Sequence, residues 1–501
     1  MDMITRRNFL IKTGAAVTTA LGTTGLGASG WGANGQAKPN VLFLSVDDLN
    51  DWIGCLRGYP GVKTPNLDRL AQRGVLFSNA HCASPLCNPS RTALLTGLRP
   101  ATTGIYNNEQ WWRPVLPNAV TIPQYFKANG YYVAGAGKVY HHVVGHNPPD
   151  QWDEFQLQEF DDNWYRRLDY YPWVKKVPNP PGHPFNGIKN FQGEFDWGVL
   201  EKPEREYGDM KAVNFGRQFL KRQHTKSFFL AVGLFHPHIP MFAPQSYFDL
   251  YPADKVTLPP IKEDDLSDLP KAAQEMASFR RDEHERIVRE NKWKDAVRAY
   301  LASISFADAM IGQMLDALEA SPYAKNTTIV FWSDNGWHLG EKQHWHKSTL
   351  WERSTHVPMI WAGAGIGQPG VTRTQPVNLL DIYPTLVDVC GLPKRPELEG
   401  LSLAPLLKNA KAKRPPTVST YLEGNHSVRD ERWRYTRYQD GSEELYDRRS
   451  DPNEWDNLAS RRGHAKLKAR LAQWMPKTNA KSAPEKPAYD FDPVKHTWRL
   501  K

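Results

Sequence analysis

The strongest constraint on this chain is a repeated alternation between short apolar runs and helical patterns. Val41 to Val46, in "KPNVLFLSVDDLND", is a largely apolar, partly β-branched run that stops at Asp47-Asp48. A strand buried on both faces reads this way, whereas a half-exposed strand alternates. In "KTPNLDRLAQRGVLFSNAH", Leu67, Leu70 and Ala71 fall on one helix face, Gly74 closes the helix, and a second strand follows. The same rhythm returns in "TIPQYFKANGYYVAGAGKVYH", in "SFFLAVGLFHPHIP", in the long helical pattern "DAVRAYLASISFADAMIGQMLDALEAS", and in "TTIVFWSDNGWHLGEKQHWHK". Strand, helix, strand in series predicts an α/β fold with a mixed, mostly parallel sheet flanked by helices. Ligands of such sheets bind beyond the carboxyl ends of the strands, where this chain places polar residues.

The rhythm fails in two places. Residues 145–205 contain the aromatic and Pro-rich "DDNWYRRLDYYPWVKKVPNPPGHPFNG", which predicts a long loop insertion of the kind that touches substrate. A basic, Pro-ended linker, "KNAKAKRPP", precedes "HSVRDERWRYTRYQDGSEELYD", whose short alternating strands surround an Asp-Gly turn. A catalytic α/β domain over 38–410 and a smaller antiparallel C-terminal subdomain with a polar tail over 411–501 follow from these breaks. The N-terminus, residues 1–37, has Arg6-Arg7 in "TRRNFLIK" and then an Ala/Gly/Thr-rich run; it resembles a twin-arginine export signal. Periplasmic or secreted localisation and passage through the twin-arginine export machinery are expected. No later stretch holds 18 uninterrupted apolar residues, so no membrane span is expected.

The formal charge of +9 on 501 residues is modest. Without long Lys/Arg runs or a recognisable nucleic-acid motif, it points to anionic small molecules or polysaccharides rather than nucleic acid. Four Cys without a CxxC cannot build a disulfide framework.

Two strand ends carry acidic or amide pairs, Asp47-Asp48 and Asp334-Asn335. Adjacent strand residues point to opposite faces, so each pair converges only if the chain leaves the strand there, a turn that Gly336 permits. Together they would form an all-oxygen set suited to Ca²⁺ or Mg²⁺; helix N-capping is the competing use of such residues. "PLCNPSRTALLTG" places Cys87 at the mouth of a short helix that tolerates Pro89 in its first turn and stops at Gly97. A thiol there is a candidate thiolate nucleophile, and the helix mouth with Arg91 is a candidate anion pocket.

The run Cys87-Asn88-Pro89-Ser90-Arg91 with Leu95-Thr96-Gly97 resembles the signature of the formylglycine-dependent sulfatases, within the alkaline-phosphatase-like superfamily. "PNVLFLSVDD", "SDNGWHLGE", "LLDIYPTLVDVCGLP" and "ELYDRRSDPNEWDNLA" resemble further segments of that family, and "VDDL", "GKVYH" and "HPHIP" resemble its iduronate-2-sulfatase-like branch. The resemblance implies a sulfuric ester hydrolase in which a formylglycine-generating enzyme oxidises Cys87. It implies Ca²⁺, with Mg²⁺ as the other hard cation, held by Asp47, Asp48, Asp334, Asn335 and the residue at 87. It implies that Arg91 holds the formylglycine, that Lys138 and His141 bind sulfate and steady the aldehyde hydrate, that His238 serves the leaving oxygen with His236 as the alternative, and that Lys347 binds sulfate. A sulfated carbohydrate is the implied substrate, a 2-sulfated uronic acid or an algal polysaccharide, with His426 and Arg429 as candidate sugar contacts. Phosphodiesterases and phosphonate monoester hydrolases share the implied fold and remain the enzymatic alternative; a non-catalytic binder of sulfated glycans is the other.

Overall fold

The strand expected at Val41–Val46 is the middle of the molecule. In the computed structural model, which describes residues 38–161, 179–189, 191, 195–278 and 281–501, it spans Asn40–Asp47 (β1) and is buried throughout. Its alternation divides the core in two: Leu42, Leu44 and Val46 join one apolar cluster, Val41 and Phe43 the other. Both faces are covered, which is why the run shows no polar period.

Seven more strands complete the sheet: Gly74–Phe77 (β2), Tyr132–Gly137 (β3), Glu154–Gln156 (β4), Phe228–Pro237 (β5), Thr327–Ser333 (β6), Met359–Gly363 (β7) and Val371–Arg373 (β8). Their order is β8-β2-β7-β6-β1-β5-β3-β4. β1 pairs parallel with β5 and β6, and only β7 runs against both of its neighbours. The expected mixed, mostly parallel sheet is therefore present, and the carboxyl ends of β1, β5 and β6 lie side by side.

Pro65–Gln72 (α1), Gly208–Lys221 (α2) and Trp293–Glu319 (α3) pack on the first face. α3 is long and apolar enough to cross a membrane, but its length is buried against this sheet. Cys55, Cys82, Cys87 and Cys390 are unpaired.

Thr417–Thr420 (β9), His426–Arg429 (β10), Trp433–Arg437 (β11) and Glu443–Asp447 (β12) form the expected antiparallel sheet in sequence order. Helix Ala465–Ala472 (α4) packs Leu471 with Val428, Tyr435 and Leu445. The boundary at 410 is no physical break: residues 37–501 form one compact unit. Trp351 shares a cluster with Tyr438 and Tyr446 across it.

The segment after 477 is not a loose polar tail. Strands Tyr489–Asp492 and Thr497–Leu500 form a hairpin whose Phe491 ring lies 4.8 Å from Trp111. The insertion over 145–205 holds only short elements where it is described, including Trp197–Val199 paired with Met241–Ala243. Its most aromatic part, residues 162–178, and the expected export signal, residues 1–37, lie outside the described residues.

Candidate active site

The metal question turns on how two strands end. Asp47 closes β1 at a register shift against β5, and Asp48 takes a left-handed backbone, φ 59°. The chain leaves the strand at this point, so both carboxylates stay at one end of the sheet. Tyr300 on α3 fixes the bend: its hydroxyl donates to the Asp48 carbonyl at 2.7 Å and accepts from the Asn50 N–H at 3.1 Å. Asp334 and Asn335 follow β6 directly. Asp334 Oδ1 accepts from the backbone N–H of Asp48 at 3.1 Å, and Asn335 Nδ2 donates to Asp48 Oδ1 at 2.7 Å. Gly336 serves by size rather than by an unusual φ, since a Cβ there would sit 2.1 Å from the Arg353 carbonyl oxygen.

Cys87 opens the helix Cys87–Thr96, and Gly97 ends it at φ 75° with its N–H on the Ala93 carbonyl at 2.8 Å. The Cys87 sulfur accepts from Lys347 Nζ at 3.1 Å and lies 3.9 Å from Lys138 Nζ and 4.0 Å from Asp48 Oδ1. The expectation of a thiolate nucleophile fails here. Burial and the Asp47 charge push the thiol well above its ordinary range, outweighing the two lysines. The helix mouth lowers a thiol only when it is the dominant field.

Arg91 lies on the same short helix and reaches both acidic strand ends. Its Nε donates to Asp334 Oδ2 at 2.8 Å and its Nη2 to Asp47 Oδ1 at 3.1 Å. Lys138 follows Gly137 (φ 73°) at the end of β3 and pairs with Asp47 Oδ2. Lys347 pairs with Asp48 Oδ1 at 2.5 Å. Three carboxylates thus face three permanent cations, all buried. Burial opposes charge on Asp47, but Lys138, with Arg91 and Lys347, holds its carboxyl well below the usual range. Asp48 moves the other way, to about 7, because burial and its carboxylate neighbours outweigh Lys347. Asp334 is raised as well, chiefly by burial.

The two histidines of "HPHIP" separate cleanly. His238 donates from Nδ1 to the Ile239 carbonyl at 2.5 Å, which turns Nε2 toward Asp48 Oδ2 at 3.5 Å and Asp47 Oδ2 at 3.9 Å. Burial, then Lys347 and Lys138, hold its pKa well below the ordinary value, so the ring is neutral in the protein's own field. His236 faces away: Nδ1 meets Asp209 Oδ2 at 2.6 Å and Nε2 meets the Phe242 carbonyl at 2.8 Å. Asp209 also accepts from the backbone N–H groups of Phe235 and His236. This buried carboxylate shapes the turn that presents His238, a role sequence reading missed. Its only signal was an acidic residue opening the apolar helix "YGDMKAV".

His141 lies within the field of Lys138, and burial, His142, His146 and Lys138 hold its pKa well below the ordinary value. Its ring lies 4.5 Å from His142 and 5.0 Å from His146, and the His142 ring lies 6.5 Å from His238. The structure does not bring the two sugar-contact candidates to the site. On β10, His426 Nδ1 meets the Thr420 hydroxyl at 3.0 Å, and Arg429 Nε donates to Glu352 Oε2 at 3.2 Å. The half-buried Glu352 attracts Arg429, a partner that a sequence pattern does not reveal.

The donor set fits a hard cation. Asp48 Oδ2 and Asn335 Oδ1 are buried oxygens without a hydrogen-bond partner, each an expense that a native interior normally avoids. Ligand atoms of Asp47, Asp48, Cys87 and His238 also lie within 4.8 Å of one another. His238, expected from the sequence at the leaving oxygen, is the member of that group not expected among the metal ligands.

A mostly parallel sheet with a buried cysteine, paired carboxylates and converging lysines at its strand ends is an arrangement suited to the hydrolysis of anionic esters. The sequence profile described as "Sulfatase" matches residues 39–392, and that described as "N-sulphoglucosamine sulphohydrolase, C-terminal" matches 340–481. The chain belongs to the sulfatase family and is a sulfuric ester hydrolase. It is 39% identical to a "Sulfatase" of Formosa agariphila, over 88% of this chain and 87% of that one. It is 33% identical to human "Iduronate 2-sulfatase", over 70% and 69% of the two chains. Its fold is also that of the phosphonate monoester hydrolase of Agrobacterium radiobacter, with a TM-score of 0.73 at 21% identity, covering 93% and 100%.

Proposed function

We propose that this sulfatase releases sulfate from a carbohydrate, an oligosaccharide or polysaccharide bearing a 2-sulfated uronic acid or an algal sugar. We further propose that it does so outside the cytoplasm after twin-arginine export, with Cys87 converted to formylglycine and Ca²⁺ bound. The observation that carries this reading is the meeting of Cys87 with Lys138, Lys347, Arg91 and His238 beside two buried oxygens that lack partners. The high pKa of the unmodified thiol supports conversion, because the thiol itself is a poor nucleophile where it lies.

Formylglycine at position 87 would supply, as its hydrate, a hydroxyl nucleophile and a second hydroxyl suited to releasing sulfate. Asp47, Asp48, Asp334 and Asn335 would hold the divalent ion, which would supply Lewis-acid stabilisation of developing negative charge. Every remaining part of the work belongs to side chains. Arg91 fixes Asp47 and Asp334 and so holds the two strand ends in register. Lys138 and Lys347 place ammonium groups where the sulfuryl oxygens must lie, a preorganised electrostatic field that needs no rearrangement during reaction. His238 is neutral before substrate arrives; an anionic sulfate ester beside it favours its protonation, and the ring then delivers a proton to the departing alcohol. Burial of the whole group excludes water and strengthens each of these interactions.

The test is sulfate release from a panel of sulfated oligosaccharides by protein co-expressed with a formylglycine-generating enzyme in Ca²⁺. Mass spectrometry confirms the aldehyde at position 87, and Cys87→Ala runs beside it. Loss of release in Cys87→Ala establishes the nucleophile. Full turnover by an unconverted Cys87→Ser protein overturns the mechanism. The phosphonate hydrolase fold favours one second reading, a phosphate or phosphonate ester substrate, so an aryl phosphate diester completes the panel.

A further inference from the structure

The C-terminal subdomain carries charge that the site does not use. Asn457–Pro484 spans 28 residues with seven Lys or Arg and no Asp or Glu. Two of the seven have local partners, Lys468 with Glu443 at 2.5 Å and Arg470 with Asp430 at 2.9 Å. Arg461, Arg462, Lys466, Lys477 and Lys481 are exposed. Within this stretch the chain turns after α4 at Gln473–Lys477 and meets the exposed end of β11 at Arg437. Between them lies an open groove of about 670 Å³, within the roughly 300–1,000 Å³ that ligand sites occupy. Met475 is buried and anchors the turn in the subdomain core, whereas Trp474 beside it is 42% exposed. Arg437 stands opposite Glu443 in the sheet, whose carboxylate also pairs with Lys468, and no acidic residue lines the groove.

We propose that this groove is a second binding site for sulfated polysaccharide, separate from the site of hydrolysis. The exposed indole of Trp474 offers a flat apolar face with a polar edge. Flat against a pyranose ring it recovers apolar contact, while Arg437 on one side and Lys477 on the other meet sulfate groups. Arg offers a planar fork for an oxyanion and Lys a point charge. The exposed basic residues along α4 extend the positive field for the rest of an anionic chain. A polymer held here raises the concentration of its sulfate esters near the catalytic end, as any tethering does. The proposal rests on the carbohydrate reading for its purpose. Its binding test does not, because it needs no turnover.

The probe is a heparin-derived dodecasaccharide, titrated calorimetrically into the full-length Cys87→Ala protein and into the same protein carrying Arg437→Ala, Trp474→Ala and Lys477→Ala. At least tenfold weaker binding by the groove variant is expected, with little binding of the desulfated oligosaccharide to either. In the formylglycine-bearing enzyme the same three substitutions should leave kcat/KM for 4-nitrocatechol sulfate unchanged. Equal dodecasaccharide affinity with and without the groove residues overturns the proposal. So does duplex DNA of similar charge binding as tightly and losing as much affinity in the variant, which would make the surface a nonspecific polyanion patch. If no oligosaccharide in the panel releases sulfate, the substrate reading fails while the binding comparison still decides the groove.

Discussion

Two buried charge clusters in this molecule look alike in a list of residues and behave differently. At the strand ends, Asp47, Asp48 and Asp334 face Arg91, Lys138 and Lys347. Beneath the C-terminal sheet, Glu352 and Glu454 face Arg429, Arg434 and Arg448. In the second cluster Glu352 bonds Arg434 and lies 3.2 Å from Arg429 and 3.4 Å from Arg448. Burial opposes its charge, but the three guanidiniums hold its pKa well below the usual value. Its backbone N–H also donates to Glu454 Oε2 at 2.8 Å. In the first cluster burial pushes the Asp48 carboxyl up to about 7 and two acceptor oxygens lack a hydrogen-bond donor, whereas the atoms without hydrogen bonds in the second, Arg434 Nε, Arg448 Nε and Glu454 Oε1, face one another as ion pairs at 2.7 and 3.8 Å. The guanidiniums of the second cluster hold Glu352 in one charge state. The strand-end cluster leaves a charge unsettled, which is the condition of a site that still has a ligand to bind.

The comparison breaks if the first cluster proves to be structural. Removing His238 from the converted enzyme, as His238→Ala, should lower kcat about 10²- to 10⁴-fold, the usual span for a general acid. His236→Asn should instead lower the melting temperature more than it lowers kcat, because His236 only ties Asp209 to the turn. Reversed effects in steady-state kinetics and thermal melts would exchange the roles of the two rings.

Glu352→Gln should destabilise the fold by about 3–5 kcal/mol, the cost of breaking a buried charged network from one side. The molecules that remain folded should keep their kcat for an aryl sulfate. Chemical denaturation and active-site-normalised turnover would check both.

Divalent cation should act only on the first cluster. Chelation should abolish turnover, and Ca²⁺ at 100 times its dissociation constant should restore it and add about 2.7 kcal/mol of stability. Asp48→Asn should lose that gain; Glu352→Gln should keep it. Equal melting temperatures with and without Ca²⁺ would sink the assignment of the oxygens.

The smallest effect is in the pH dependence of stability, where Glu352 and Asp48 should contribute with opposite signs. Glu352 is depressed in the fold, so its contribution is present above the unfolded value of about 4.5 and is lost as pH falls through its lower folded value. Asp48 is raised to about 7, so in chelated protein the folded state holds the extra proton. Stability from that group therefore declines as pH rises from about 4 to about 7. Melting curves of chelated Glu352→Gln and Asp48→Asn across pH 3–8 should each lose one of these slopes.

The sequence alone determined the periodic and the local. Buried strands read as apolar runs because both faces are covered, and that placed β1, β5 and β6 with the helices between them. The Cys87–Gly97 segment was legible because a Pro in the first turn and a Gly in the left-handed terminal position bound a helix by local sterics. The acidic pairs were visible as pairs, but their meeting was a matter of tertiary structure, since Asp48 and Asp334 are 286 residues apart. Only the packed sheet set β1 beside β6. Only Tyr300, from α3, stabilised the left-handed turn at Asp48. The sense of each pKa shift was likewise undetermined by sequence, because burial and neighbouring charge compete and their distances come from the fold. His426 and Arg429 show the limit most plainly. Their spacing allowed a sugar site, and the Thr420 hydroxyl and the Glu352 carboxylate, brought close by the C-terminal sheet, engaged them instead.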